Sequence, residues 1–312
     1  MPAESIDSSG FRRHGYRLLG PRFDYLLHMR PAEWPIMAAH TALGYILAVG
    51  WSGIARGEYL GAAILGIAAW VIGLNAGTLA VNSAFDRDDG DIGYLRRPPP
   101  PPPHLFGFGL GLMLLGLAAA LLLPGPYRLA YLACFLLSLA YSVPPLRLKA
   151  VPGMDWLINM VGFGALTPFA GWAATGRPLD AGARLVFVGF CLLFAGLYPL
   201  TQLYQLEEDR RRGDRTLALM LGARTSLAVA LLATIGAFQV FALSAVIRGW
   251  LGRGEQWRWF LLGGAFAAWL VVLLPWLSKS PRLAPAAHQR RMYLALGAWA
   301  LTDLAILFGW AG

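Results

Sequence analysis

Of the 17 carboxylates in this chain, eight fall in two short windows. The first reads Asn82-Ser-Ala-Phe-Asp86-Arg-Asp88-Asp89-Gly90-Asp91 and the second Gln205-Leu-Glu207-Glu208-Asp209-Arg-Arg-Arg-Gly213-Asp214. Both run amide, three residues, Asp, three residues, Gly, Asp. On a helix the amide and the first Asp lie on one face, about one turn apart. Gly90 and Gly213 suit the left-handed position that closes a helix. Each window therefore reads as a helix end carrying oxygen donors. Hard cations such as Mg²⁺ take one or two carboxylates plus substrate phosphates. Two such ends facing each other would hold Mg²⁺ between protein and a diphosphate, neutralising the leaving group. A single window reads equally well as a solvated loop of mixed charge; the repetition argues against that.

Basic groups lie close by in sequence. Tyr141-Ser-Val-Pro-Pro-Leu-Arg147-Leu-Lys149 follows an apolar run, and its two cations either grip phosphate oxygens or anchor the chain at a membrane surface. Arg210 to Arg212 and Arg215 carry the same two readings. Arg96-Arg97 lead into Pro98 to Pro103, an extended, stiff run that reads as a brace across the surface.

The elements that must position these groups are membrane helices. Hydrophobic residues make up 57% of the chain and charged ones only 14%, against roughly 25% charged in soluble domains. The mean hydropathy is +0.53. Nine windows approach or exceed the length that spans a bilayer as helix: about 34–53, 59–84, 104–124, 127–143, 155–175, 184–205, 224–247, 258–277 and 291–311. The alternating pattern of an outer-membrane barrel is missing. The acidic windows follow the second and sixth spans, and this repetition fits a bundle of two related halves.

Residues 1–33 are polar and basic, and the segment from Arg22 to His28 can form an amphipathic helix in the headgroup layer. Residues 34–312 form the membrane domain. With the N-terminus in the cytoplasm, loops on that side carry 19 of the 26 Lys and Arg. The positive-inside rule then puts both acidic windows in the cytoplasm and the C-terminus opposite. The net charge of +9 follows from this topology and needs no nucleic acid. Cys134 and Cys191 lie in apolar windows with no metal or disulfide spacing and read as packing residues. Asp155 reads as a helix N-terminal residue. Asp303 sits deep in the last span, either as a polar contact to a cavity or as a residue near the helix end beside Thr302.

The order of these features resembles the UbiA superfamily of intramembrane prenyltransferases over almost the whole chain. Asn82 and Asp86 match the family's first Asp-rich motif, and Arg97-Pro98 resembles the Arg-Pro after it. Glu207, Asp209, Gly213 and Thr216-Leu217 match the second motif, and Lys149 matches its phosphate-contacting lysine. Three positions depart: Gly90 and Gln205 stand where members carry Asp, and Ser83 where many carry another. The ligand set is shifted, with Asp86, Asp88, Asp91, Glu207, Glu208 and Asp209 as the carboxylates present, and the departures point to a divergent branch.

The resemblance implies an all-α bundle around a central cavity that takes a polyprenyl chain from the bilayer. It implies Mg²⁺-dependent ionisation of an allylic diphosphate and transfer to an acceptor, a small aromatic or lipid-like molecule. Asp86, Asp91 and Asp209 would ligate metal, helped by Asp88, Glu207 or Glu208. Asn82 and Gln205 would supply neutral oxygens or orient bound water, and Lys149, Arg97 and Arg212 would contact diphosphate. Tyr141 stands near the reacting carbon or at the membrane interface. A terpene synthase of the same fold, needing no acceptor, is the alternative, with Asp86 favouring transfer. A carrier of isoprenoids or ions is disfavoured, because transporters place their sites near the bilayer midplane.

Overall fold

A computed structural model describes residues 9–86, 92, 95, 98–213, 216–280 and 283–312. Those residues are overwhelmingly helical, the exception to helix and loop being a bridge between Ile92 and Leu95. Two short helices, α1 (Ser9–Leu19) and α2 (Phe23–His28), precede the membrane domain. The first span is α3 (Trp34–Ala55). The second is continuous from α4 (Leu60–Ala68) through a π-helical stretch (Ala69–Ala76) to α5 (Gly77–Asp86). Then come α6 (Leu105–Ala120) and α7 (Gly125–Ser142). The fifth apolar window repeats the interrupted pattern: α8 (Met154–Asn159), π-helical Met160–Leu166 and α9 (Thr167–Ala173). The chain continues with α10 (Ala181–Gln202), α11 (Leu206–Arg212), α12 (Leu217–Ile247), α13 (Gln256–Lys279) and α14 (Pro285–Trp310).

Among the described residues, six helical stretches are long and apolar enough to cross a membrane. The other three apolar windows form α6, α7 and the broken α8–α9, which are shorter or interrupted. Starts are set by side-chain caps where the sequence supplies them: Asp180 accepts from Ala183 N at 2.8 Å before α10, and Thr216 accepts from Leu219 N at 3.4 Å before α12.

With lipid as apolar as the side chains themselves, close backbone approach holds such helices together. α3 and α9 meet through a reciprocal glycine contact. A methyl group built on Gly44 would lie 1.6 Å from Pro168 O, and one on Gly171 would lie 1.8 Å from Thr41 O. Two apolar cores result. One joins α3, α10, α12, α13 and α14, with Phe190, Phe241, Trp269 and Trp276 fully enclosed. The other joins α4–α5, α6, α7 and α9 around Trp70, Met113, Tyr127 and Tyr131. Outward faces carry exposed Leu115, Leu122, Leu232, Phe260 and Val271, as a lipid-facing surface must.

From Ser9 onward the basic N-terminal segment is largely helical, and the apolar face of α2 is covered by protein. Phe23 and Leu27 pack on Ile92 and Leu95 of the first acidic loop. His28 Nε2 lies 3.1 Å from Pro99 O, and Tyr25 donates its hydroxyl to Pro103 O. The proline run is thus held at both ends by one short helix, as a brace would be. Burial lowers the His28 pKa below its ordinary value.

Candidate active site

Several elements converge on the loop between α7 and α8. Asn82, four residues before the end of α5, accepts from Ser142 Oγ at 3.2 Å and from Lys149 Nζ at 2.8 Å. The same ammonium contacts Asp86 Oδ1. Arg147 Nη2 lies 3.5 Å from that oxygen, on a backbone turned into the left-handed region at φ 35°. Lys149 and Asp86 are largely buried, at 12% and 13% side-chain exposure, whereas Arg147 is 40% exposed. A buried Asp with two cations is well matched, and the pair of oxygens from Asn82 and Asp86 forms a hard, all-oxygen donor set. Lys149 sits on the very oxygens a divalent ion would take.

The second window is built differently from the simple helix end its spacing suggests. α10 stops at Gln202, a turn intervenes, and α11 begins after Gln205. Pro199 inside α10 removes a backbone donor just before this break. Gln205 therefore heads a new short helix, its carbonyl accepting from Asp209 N at 2.9 Å. Gly213 closes α11 at φ +75°, the left-handed cap the sequence suggests. Asp209 is 4% exposed, with Thr216 Oγ1 at 3.5 Å from its Oδ2. Glu207 points the other way: it is 71% exposed and pairs with Arg210 at 2.7 Å.

Asp155 ties α8 to the two flanks of the second window. It is 1% exposed and accepts from Gly153 N at 3.0 Å, Gln202 Nε2 at 3.0 Å and Leu217 N at 3.4 Å. Gln202 Oε1 in turn accepts from Ala218 N at 3.3 Å. A carboxylate with three donors is a latch, in keeping with its place in the first turn of α8. Asp88, Asp91 and Arg97, with the side chains of Glu208 and Arg212, lie outside the described residues. Among the described residues, no three His, Cys, Asp or Glu side chains cluster as a metal cage.

A cavity of about 360 Å³ opens below Asn82, between the two apolar cores. Arg30 and Glu33, 3.6 Å apart and largely buried, line it together with Asn82. Its wall carries Tyr141 and Tyr198, whose hydroxyls are 3.1 Å apart. The rest is largely apolar and aromatic, including Trp70, Phe163 and Phe194. Both π-helical stretches contribute lining residues, a common place for such irregular turns. Asp303 does not line this space; its Oδ1 lies 3.0 Å from Nδ1 of the buried His40. Cys134 lines it and Cys191 packs away from it.

Sequence reasoning overlooked Asn75, Thr78 and Ser138 on the cavity wall, and Arg30 and Tyr198. The available signal was a polar residue inside an apolar window, as Asn75 is. Which face it takes depends on the π-helical turn around it, and spacing alone does not reveal that.

A model of the UbiA prenyltransferase family matches residues 35–297. A lycopene elongase/hydratase from Halobacterium salinarum is 30% identical over 240 residues, covering 73% of this chain and 82% of that protein. The C(50) beta-cyclic carotenoids biosynthesis protein LbtBC from a Dietzia species is 25% identical over 263 residues; 80% of this chain is covered and 54% of that protein's length. A solved UbiA homolog from Archaeoglobus fulgidus, bound to GPP and Mg²⁺, superposes with a TM-score of 0.63 at 18% identity, covering 91% of this chain and 99% of its own. With a family model over most of the chain and a 30% identical relative covered to 82%, this integral membrane chain belongs to the UbiA prenyltransferase family.

Proposed function

We propose that this prenyltransferase moves a short allylic group from its diphosphate onto the terminal alkene of a long acyclic polyene such as lycopene. The observation that carries the reading is the apolar cavity beneath a cluster of Asn82, Asp86 and Lys149. The likeness to a lycopene elongase/hydratase supports this acceptor over an aromatic acid. Arg30 is the one cationic lining residue among those described, and it faces Glu33 at 3.6 Å. An aromatic carboxylate would have to take Arg30 from Glu33, whereas a hydrocarbon end needs no charged partner.

In this reading the chain spans the membrane nine times, with both acidic windows and the N-terminus in the cytoplasm. Asn82, Asp86 and Asp209 hold Mg²⁺, joined by Asp88 and Asp91. Bound there, Mg²⁺ neutralises diphosphate charge and so eases departure of the leaving group. With Asp86 given over to an ion, Lys149 would contact a phosphate oxygen instead, and Arg147 would reach it from the more exposed side. The allylic carbons point into the cavity, where the faces of Phe163, Phe194 and Trp70 stabilise the cation and exclude bulk water. Glu207, turned outward against Arg210, takes no part in ion binding.

The test is to reconstitute the protein with dimethylallyl diphosphate, Mg²⁺ and lycopene, and to read lipid products by mass spectrometry. Products heavier than lycopene by one or two prenyl units are expected. Prenylation of an added aromatic acid, with lycopene untouched, would overturn the reading, and a cyclised prenyl product made without acceptor would favour a terpene synthase.

A further inference from the structure

Phe11, Gly15, Leu18 and Leu19 follow the helical period and share one side of α1. Phe23 fills the middle of that apolar stripe. A methyl group built on Gly15 would lie 2.3 Å from its ring, and Phe11 and Tyr16 pack edge-on against it, with ring centroids 5.5 and 5.1 Å away. The ends of the stripe stay uncovered: Leu18 is 68% exposed, Phe11 56% and Leu19 nearly half.

Four arginines accompany the stripe, Arg12, Arg13, Arg17 and Arg22, and residues 9–23 contain no Asp or Glu. Arg17 and Arg22 are exposed. Uncovered Leu and Phe edged by Arg suit a negatively charged headgroup layer, where apolar groups enter the acyl boundary and guanidiniums stay with the phosphates. The first span begins at Trp34, fifteen residues after Leu19, so a bilayer surface is always within reach of this helix.

The same helix is connected to the acidic site. Tyr16 donates its hydroxyl to Asp24 Oδ1 at 2.6 Å, which ties α1 to α2. α2 lays Phe23 and Leu27 on Ile92 and Leu95, in the loop after Asp86, and meets the proline run at Pro99 and Pro103. Phe23 thus touches α1 on one side and the loop of the first acidic window on the other. Fixing α1 removes conformational freedom from that loop as well.

We infer that α1 docks on anionic lipid headgroups at the bilayer surface and, through Phe23, steadies the loop of the first acidic window. Lipid charge then regulates how firmly that window is held. The inference does not depend on the acceptor named above.

The experiment places the full chain in nanodiscs of neutral phosphatidylcholine, or of the same lipid with roughly a third replaced by anionic phosphatidylglycerol. Amide exchange is followed over residues 9–19 and at Ile92 and Leu95. One Arg at such a surface is worth about a fivefold shift in occupancy. Wild-type exchange should therefore be slower in the anionic discs, by about tenfold or more in α1 and by several-fold at Ile92 and Leu95. Near 1 M salt, where charges are screened within about 3 Å, the difference should vanish. Arg17→Gln combined with Arg22→Gln should abolish most of it and leave exchange in neutral discs unchanged. Leu18→Gln, at an exposed position, should also shrink it and decides the matter if the double variant accumulates poorly. Equal exchange in the two discs, or a difference that these variants keep, overturns the docking. Protection of α1 with Ile92 and Leu95 unmoved overturns the regulation.

Discussion

Replacing Lys149 with methionine should affect metal binding and turnover in opposite directions. Lys149 Nζ bonds Asn82 Oδ1 at 2.8 Å and contacts Asp86, and both side chains of that ion pair are nearly buried. At an effective dielectric of about 20, two unit charges about 4 Å apart interact by roughly 4 kcal/mol. The ammonium must withdraw, or repel the ion, whenever a divalent cation takes the same oxygens. Arg147 remains at 3.5 Å but is 40% exposed, so it replaces only part of that charge. A net relief of roughly 1.4–2.8 kcal/mol corresponds to about ten- to hundredfold tighter ion binding in the diphosphate-free protein. Turnover should fall by about 10²–10³, the range for removing one preorganised group from developing negative charge. Mn²⁺ titration followed by paramagnetic resonance reads the first, and pyrophosphate release reads the second. Mn²⁺ affinity that is unchanged or weaker in Lys149→Met would refute the idea that the lysine and the ion share oxygens.

Three further outcomes follow from the packing and the latch. Gly171→Ala puts a methyl group 1.8 Å from Thr41 O and must separate α3 from α9; overpacking of this kind costs about 1–3 kcal/mol or more, so its thermal midpoint in detergent should fall well below that of Gly263→Ala, whose added methyl meets open space. Asp155→Ala leaves Gln202 Nε2 and Leu217 N without their acceptor, which costs about 1–3 kcal/mol; it should lower the midpoint while leaving Mn²⁺ affinity within about twofold, and a large loss of affinity would instead make Asp155 an ion ligand. His28 is held below its ordinary pKa of 6.5 by burial. The unfolded or undocked segment therefore takes the proton first, and docking of α2 on the proline run is intact above that value and weakens as pH falls below it. Amide exchange at Ile92 and Leu95, corrected for the intrinsic rate, should speed up over that range in the wild type and show no such step in His28→Gln.

How much of this could be read from the chain varies with the physics behind each residue. Asn82, Asp86 and Lys149 were each picked out by the motif order, Lys149 as a phosphate contact, whereas the seating of its ammonium on Asn82 and Asp86 depends on how the loop after α7 folds back. Asp155 was legible as a first-turn acid, though its reach to Gln202 and Leu217 depends on tertiary placement. The second window misled in detail. Spacing put Gln205 and Asp209 on the end of the sixth span, whereas Pro199 and the turn after Gln202 start a new helix. The three-residue spacing from Glu207 to Arg210 places those two on one exposed flank, away from Asp209, which composition alone cannot show. The reciprocal contact of Gly44 and Gly171 was hidden, because a glycine in an apolar run is silent about what approaches it. The place of Asn75 on the cavity wall was hidden too, since a π-helical turn rotates every later side chain relative to the ordinary helical period.

The measurement that tests the central claim most directly is pyrophosphate release from the purified protein given dimethylallyl diphosphate and lycopene, with Mg²⁺ or with a chelator, for the wild type, Asp86→Asn and Asp209→Asn. The site described here predicts release that the chelator abolishes and that each substitution lowers by about 10² or more. Release that persists in chelator, or that survives both substitutions at the wild-type rate, would contradict a metal-assisted ionisation held between the two acidic windows.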